Sequence, residues 1–166
     1  GRGLDVVTVM PGGIYGPGDT SQIGELIRQA AHGRRVMAPA GLQMCMAHVD
    51  DVAHGHVLAM EKGRAGESYM LAGPQTTLVD VLRITAEIAG GKPPVVLPDV
   101  AVGASERMMG LLEKVAPVPS TYRAESLRAS RASYLGTPAK AQAELGWFAR
   151  ALRIGLAETV EDELRG

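Results

Sequence analysis

His48, Asp50, Asp51, His54 and His56 crowd into one short stretch, with Cys45 just before it. Side chains of these types bind metals or move protons. The spacing argues against a metal. His54 and His56 are two apart on a helical stretch, so they do not share a face. There is no His-Glu-x-x-His pattern, and Cys45 is the chain's one cysteine. No metal ligand set is assigned. What remains is an imidazole, His48, that a nearby carboxylate can hydrogen-bond. A substrate or loop contact and a satisfied structural histidine both account for it. Asp51 reads as structural, through helix capping or a loop hydrogen bond. A second constellation is Pro11-Gly12-Gly13-Ile14. Proline fixes a turn that presents backbone groups rigidly, and the glycines permit close approach. Composition alone leaves a tight strand exit as the simpler reading. Arg123, Arg128 and Arg131 form a loose basic group that reads as surface charge, although one could meet an anionic substrate group.

The elements that would position these residues follow from periodicity. Val6-Val7-Thr8-Val9-Met10 is β-branched and nearly continuous in apolar character, as in a parallel-sheet strand buried on both faces. Pro11 ends it, and Gly12 to Asp19 is a loop at its carboxyl end, where open α/β sheets bind ligands. Asp19 can cap a helix over 21–32, which Gly33 ends. A short strand lies near 44–47. Asp50 or Asp51 caps a helix running to Lys62, with Val52, Ala53, His56, Val57 and Met60 inward. Glu67 to Leu71 is a strand, and Thr76 or Thr77 caps a helix to Ala89. Val95 to Pro98 is extended. Helices follow over 102–115, 138–145 and 152–164.

The chain has 166 residues, 46% of them hydrophobic, enough for one domain with a core. Net charge is -1 with the signs interspersed, so no basic stripe marks it for nucleic acid. No run approaches the roughly 18 apolar residues that span a membrane. A single cysteine fits a reducing, cytoplasmic setting. The start, Gly1-Arg2-Gly3, has no signal-peptide pattern and no initiator Met, as expected of a chain cut from something longer. Two parallel strands joined by a crossover do not make a stable sheet alone. Either this is a small α+β domain with a short sheet, or further strands precede Gly1.

Four segments resemble the extended short-chain dehydrogenase/reductase family, also called the NAD-dependent epimerase/dehydratase family. They are Val9 to Asp19, with its Pro-x-x-x-Tyr-Gly-Pro-x-Asp; Ala47-His48-Val49-Asp50-Asp51-Val52-Ala53; Gly66-Glu67-Ser68-Tyr69-Met70-Leu71-Ala72-Gly73; and Lys140 to Trp147, with its Lys-x-x-x-x-Leu-Gly-Trp. They occur in family order and cover only the later half of a member. The resemblance implies an α/β fold: the C-terminal part of a Rossmann-type parallel sheet over 1–92, then a small, mainly helical substrate-binding lobe over 93–166. It places Pro11, Gly12, Gly13 and Ile14 beside the nicotinamide of NAD or NADP in the complete enzyme. It places Met44, Met46, His48 and Met108 near substrate.

The family's Gly-rich phosphate fingerprint and its Tyr-x-x-x-Lys are absent from the sequence. No catalytic residue is therefore assigned, and the chain alone is expected to bind no cofactor and to turn nothing over. Its partners would be a small-molecule substrate and the missing N-terminal Rossmann half, with no nucleic acid and no membrane. The oligomeric state is left open. Several sugar-nucleotide enzymes of the family carry an arginine just before the His-Val. Here Met44-Cys45-Met46-Ala47 stands there, as in the dihydroflavonol-reductase-like branch, and suggests a less charged pocket. The rival readings are a non-catalytic small-molecule binding protein on the same scaffold, and an interaction module that pairs through its first strand.

Overall fold

The computed structural model of the chain describes residues 3–98, 100 and 135–165. The helix expected over 102–115, which carries Met108, and the arginines of 123–131 lie outside the described residues. The elements in order are β1 (Thr8–Pro11), β2 (Gly13–Tyr15), α1 (Gln22–Ala31), β3 (Met37–Pro39), β4 (Gln43–His48), α2 (Val49–Lys62), β5 (Ser68–Leu71), β6 (Gln75–Thr77), α3 (Leu78–Ile88), β7 (Val95–Leu97), α4 (Ala139–Leu145) and α5 (Leu152–Arg165). This is an α/β architecture with parallel strands. β1 pairs with β5, β2 with β4, and β3 with β7, all parallel; only β6 runs antiparallel, against β4.

The first strand starts later than expected and includes Pro11. Thr8 and Gly12 donate their N–H groups to Glu67 and Leu71 of the β5 side. Strand alternation then turns the nitrogen of Pro11 to the opposite edge, so its missing N–H costs the β1–β5 ladder nothing. The stretch after it is not a loop throughout. The extended chain leaves β5 at Gly12 and takes β4 as its new partner, with Gly13 opposite Met46 and Tyr15 opposite His48. Local glycine content concealed a pairing that depends on a distant strand. Burial of β1 on both faces is not found: Thr8, Met10 and Pro11 are exposed and Val9 half-buried.

β4 divides the interior. Met44 and Met46 face a core with Tyr15, Ile27, Val81 and Leu156, roofed by α1, α3 and α5. Ala47 faces a second core with Val52, Tyr69, Leu71, Leu145 and Trp147. Residues 135–165 thus contribute to both cores. The inward face of α2 differs from expectation: Val52, Gly55, Leu58 and Ala59 are buried, while His56, Val57 and Met60 are exposed. The helix is apolar on two sides, and packing selects the one with glycine. A side chain at Gly55 would stand 2.4 Å from Leu71 Cδ1.

Helix caps follow hydroxyl chemistry in α1 and α3. Ser21 Oγ accepts from Gly24 N, and Thr77 Oγ1 from Asp80 N. Asp19 is not the cap of α1; it accepts from Ser21 N one step earlier. Among the described residues no helix is long and apolar enough to cross a membrane.

Candidate functional site

The carboxyl ends of β2 and β4 and the amino ends of α2 and α5 meet around His48 and Tyr15. Both side chains are 1% exposed, and their rings meet edge to face, with centroids 5.5 Å apart. His48, not Asp50 or Asp51, caps α2: its Nδ1 accepts from Asp50 N at 3.3 Å. A residue with extended backbone and an acceptor two atoms beyond Cβ can do this as a serine does. Accepting at Nδ1 puts the proton of the neutral ring on Nε2. Nε2 is buried with no hydrogen-bond partner among the described residues, and the Glu158 carboxylate lies 3.8 Å away. Asp50 and Asp51 occupy the first turn of α2, where negative charge complements the helix dipole.

Arg150 binds this end of the molecule together. Its Nε and Nη2 donate to Asp51 Oδ1 at 3.0 and 2.8 Å, and its backbone N–H donates to Oδ2 at 2.9 Å. Its Nη1 pairs with Glu158 on α5. Burial pushes the Asp51 carboxyl up, but the Arg150 hydrogen bonds and charge outweigh it and hold the carboxyl below the usual carboxylate range. A depressed carboxyl stabilises the fold above its unfolded pKa of about 3.9, and this contribution is lost as pH falls through the lower folded value. Asp51→Asn is therefore expected to flatten the acid limb of the stability profile, with melting temperature measured from pH 6 down to pH 2. An unchanged acid limb would remove Asp51 from this role.

The chemistry available here is limited. Burial, and then the Asp51 and Glu158 charges, push the Tyr15 phenol up to about 12, with Arg150 partly opposing. Tyr15 stays protonated and donates to the Leu152 carbonyl at 3.4 Å, so it serves packing rather than proton abstraction. His48, Asp50 and Glu158 bring ligand atoms within 4.8 Å of one another. The Arg150 guanidinium sits against both carboxylates, at 3.9 Å from Asp50, and a cation would have to compete with it.

Of the residues singled out from sequence, the structure brings Gly13, Ile14, Met46 and His48 together along β2 and β4, with Pro11 at the end of β1 and Gly12 between the strands. Pro11 and Ile14 are exposed, Ile14 by 43%. Gly12 has an internal reason to be glycine: a Cβ there would stand 2.4 Å from the Cys45 carbonyl oxygen. Met44 and Met46, 5% and 3% exposed, are core residues. Their neighbour Cys45 borders an open cavity of about 470 Å³ with Gly73, Gln75, Gly136 and Ala149. Arg150 and Glu158 were missed by sequence reasoning. Ninety-nine positions separate Asp51 from Arg150, and no local spacing signals the pair.

The description "NAD dependent epimerase/dehydratase family" matches residues 1–72. Sterol demethylase protein B of Methylococcus capsulatus is 30% identical over 165 residues, which are 96% of this chain and 50% of that protein. The crystal structure of gox2253 superposes with a TM-score of 0.80 at 30% identity, over 96% of this chain and 49% of that one. UDP-glucose 4-epimerase from Thermotoga maritima, solved with UDP-glucose, gives a TM-score of 0.66 at 25% identity, over 96% of this chain and 46% of that one. The chain spans about half the length of the relatives it matches. The strand-and-turn, His-Val-Asp-Asp and Gly-Glu-x-Tyr segments all lie inside residues 1–72, so this part of the chain matches the NAD-dependent epimerase/dehydratase family, and the chain as a whole is similar in sequence and α/β fold to about half of each of these proteins.

Proposed function

We propose that this chain is the substrate-side portion of an NAD(P)-dependent oxidoreductase or epimerase, acting at an alcohol or ketone carbon of a small molecule. The observation that carries the reading is the family-matched turn. Pro11 and Ile14 present apolar, exposed side chains at the carboxyl end of parallel strands, the place where ligands bind in open α/β sheets. These residues suit the flat, weakly polar edge of a nicotinamide. NAD(P), when bound, would accept or deliver a hydride. This chain's own part is to hold that edge. Gly12 keeps the turn against β4, and the Tyr15–His48–Arg150 cluster fixes the strand ends behind it.

The phosphate-binding and proton-transfer groups belong to the half of the fold this chain does not span, so the chain alone neither binds the cofactor nor turns over. Residues 1–92 are the sheet-and-cleft portion and 93–166 the substrate lobe, to which Met108 belongs. Met44, Met46 and His48 form the cleft wall from behind. The absence of arginine from 43–48 supports a weakly charged substrate, in the dihydroflavonol-reductase-like manner, over a sugar nucleotide. The name of the Methylococcus relative points the same way.

Ile14→Glu tests the reading in the full-length polypeptide. NAD(P) affinity is expected to fall about tenfold, by roughly 1.4 kcal/mol, while ADP-ribose affinity is unchanged, both read by calorimetry. Equal losses for both ligands would mean a folding defect. No loss for either would take Pro11 to Ile14 out of the cofactor site.

A further inference from the structure

The two ring nitrogens of His48 face partners that they cannot all satisfy in one charge state. In the neutral ring Nδ1 accepts from Asp50 N and caps α2. Nε2 then carries the proton, buried and without a hydrogen-bond partner among the described residues. A proton added to Nδ1 removes the acceptor and sets one N–H against another, so the cap is lost. The cationic ring has a carboxylate at each nitrogen instead. Asp50 Oδ2 lies 3.5 Å from Nδ1 and Glu158 Oε2 3.8 Å from Nε2. Both distances exceed a good hydrogen bond, so the ring or its neighbours must shift to use them. The ring has no room to shift alone. Tyr15 meets it edge to face. A Cβ on Gly16 would stand 3.3 Å from Nε2, and one on Gly155 of α5 3.1 Å from Cδ2. Tyr15 lies opposite His48 at the end of β2, next to Ile14. Movement of the ring therefore presses on that strand end and on the turn before it.

We infer that His48 is a proton-operated latch between the amino end of α2 and the end of β2. Neutral, it caps α2 and holds Ile14 to Gly16 in the described form. Protonated, it exchanges the cap for Asp50 and Glu158 and displaces Ile14 to Gly16. The ionisable groups that face the ring are Tyr15 on β2, Asp50 and Asp51 on α2, Glu158 on α5 and Arg150 just before α5. Tyr15 is pushed up to about 12 and Asp51 is held below the usual carboxylate range, so neither changes charge between pH 8 and pH 5. Arg150 stays charged throughout and competes with the cationic ring for Glu158 and Asp50. Histidine is the side chain whose charge ordinarily changes near neutrality. The bearing of the latch on the cofactor rests on the reading of Pro11 to Ile14 given above: acid would loosen the turn that holds the nicotinamide edge.

Nuclear magnetic resonance of the full-length polypeptide, without cofactor, tests this from pH 8 to pH 5. At pH 8 the His48 ring is expected to carry its proton on Nε2 alone. As the second proton binds, the Ile14, Tyr15 and Gly16 amides are expected to shift with the same midpoint as the ring. The exchange protection of the Asp50 amide is expected to fall about fivefold, as the loss of one cap implies. His48→Asn keeps a capping acceptor at every pH. It is expected to abolish the shifts at 14–16 and to leave Asp50 protected. Asp50→Asn keeps the histidine and serves where the first variant does not fold. It removes the carboxylate facing Nδ1 and is expected to move the midpoint to lower pH. A ring that gains no second proton by pH 5, or gains it while Ile14 to Gly16 stay unmoved, would overturn the latch. Shifts that persist in His48→Asn would belong to another group, with the same consequence. A midpoint unchanged by Asp50→Asn would overturn the exchange of partners. All of these readings are made without NAD(P), so a failed Ile14→Glu experiment leaves the latch standing and the reverse also holds.

Discussion

Gly73→Ala is expected to destabilise the fold by about 3 kcal/mol, the upper end of what overpacking costs. A Cβ on Gly73 would stand 1.8 Å from the Met46 carbonyl oxygen and 2.8 Å from its carbon. Those atoms cannot turn aside, because Met46 sits in the ladder opposite Gly13. The two glycines make an internal comparison. A Cβ on Gly13 would meet Met46 Cγ at 3.4 Å, an ordinary contact with a flexible side chain. Gly13→Ala is therefore expected to lie within about 1 kcal/mol of the parent, with reduced unfolded-state entropy offsetting any crowding. Urea denaturation of both variants decides the matter. Similar losses at the two sites would show that the close approach of residue 73 to β4 has been misread, as would a Gly73→Ala change below about 0.5 kcal/mol.

The same crossing shows what the sequence could and could not disclose. Helices α1 and α3 were legible because their apolar residues recur at helical spacing, and a threonine at the amino end marked the cap of α3, whereas the cap of α1 was read as Asp19 and is Ser21. The strand before Pro11 was legible from β-branching. The partner switch at Gly12 was not. Nothing local to Gly12-Gly13-Ile14 announces β4, which lies some thirty positions on, and glycine-rich segments read as loops. The face of α2 was misjudged for a related reason. Ala53, Val57 and Met60 form as good a stripe as Val52, Gly55 and Ala59, and only Leu71 and Trp147 decide between them. The candidate site divides likewise. Pro11 to Ile14 and His48 could be singled out as candidates from short motifs. The capping role of His48 was hidden, because two aspartates beside it are better cap residues by type. Arg150, which clamps Asp51, and Glu158, which pairs with Arg150, come from the far end of the chain.

Trp147→Ala should be the most damaging single truncation in the second core, costing about 3–5 kcal/mol. Trp147 is 1% exposed, packs beside Gly55 of α2, and donates its indole N–H to the Asp51 carbonyl at 2.7 Å. Truncation removes the largest buried side chain between α2 and the α4–α5 connection and strips a partner from a half-buried carbonyl. It also frees the segment that carries Arg150, three residues on, so the Asp51 clamp should loosen with it. Trp147→Phe separates the two effects. It keeps most of the ring volume and loses the hydrogen bond, and should cost about 1–2 kcal/mol. Circular dichroism must follow the unfolding, since Trp147 is the chain's one tryptophan. If alanine costs no more than phenylalanine, the indole N–H rather than the packing holds the connection to α2. If alanine costs under about 1 kcal/mol, the second core closes without Trp147, and the amino end of α2 is fixed by Arg150 alone.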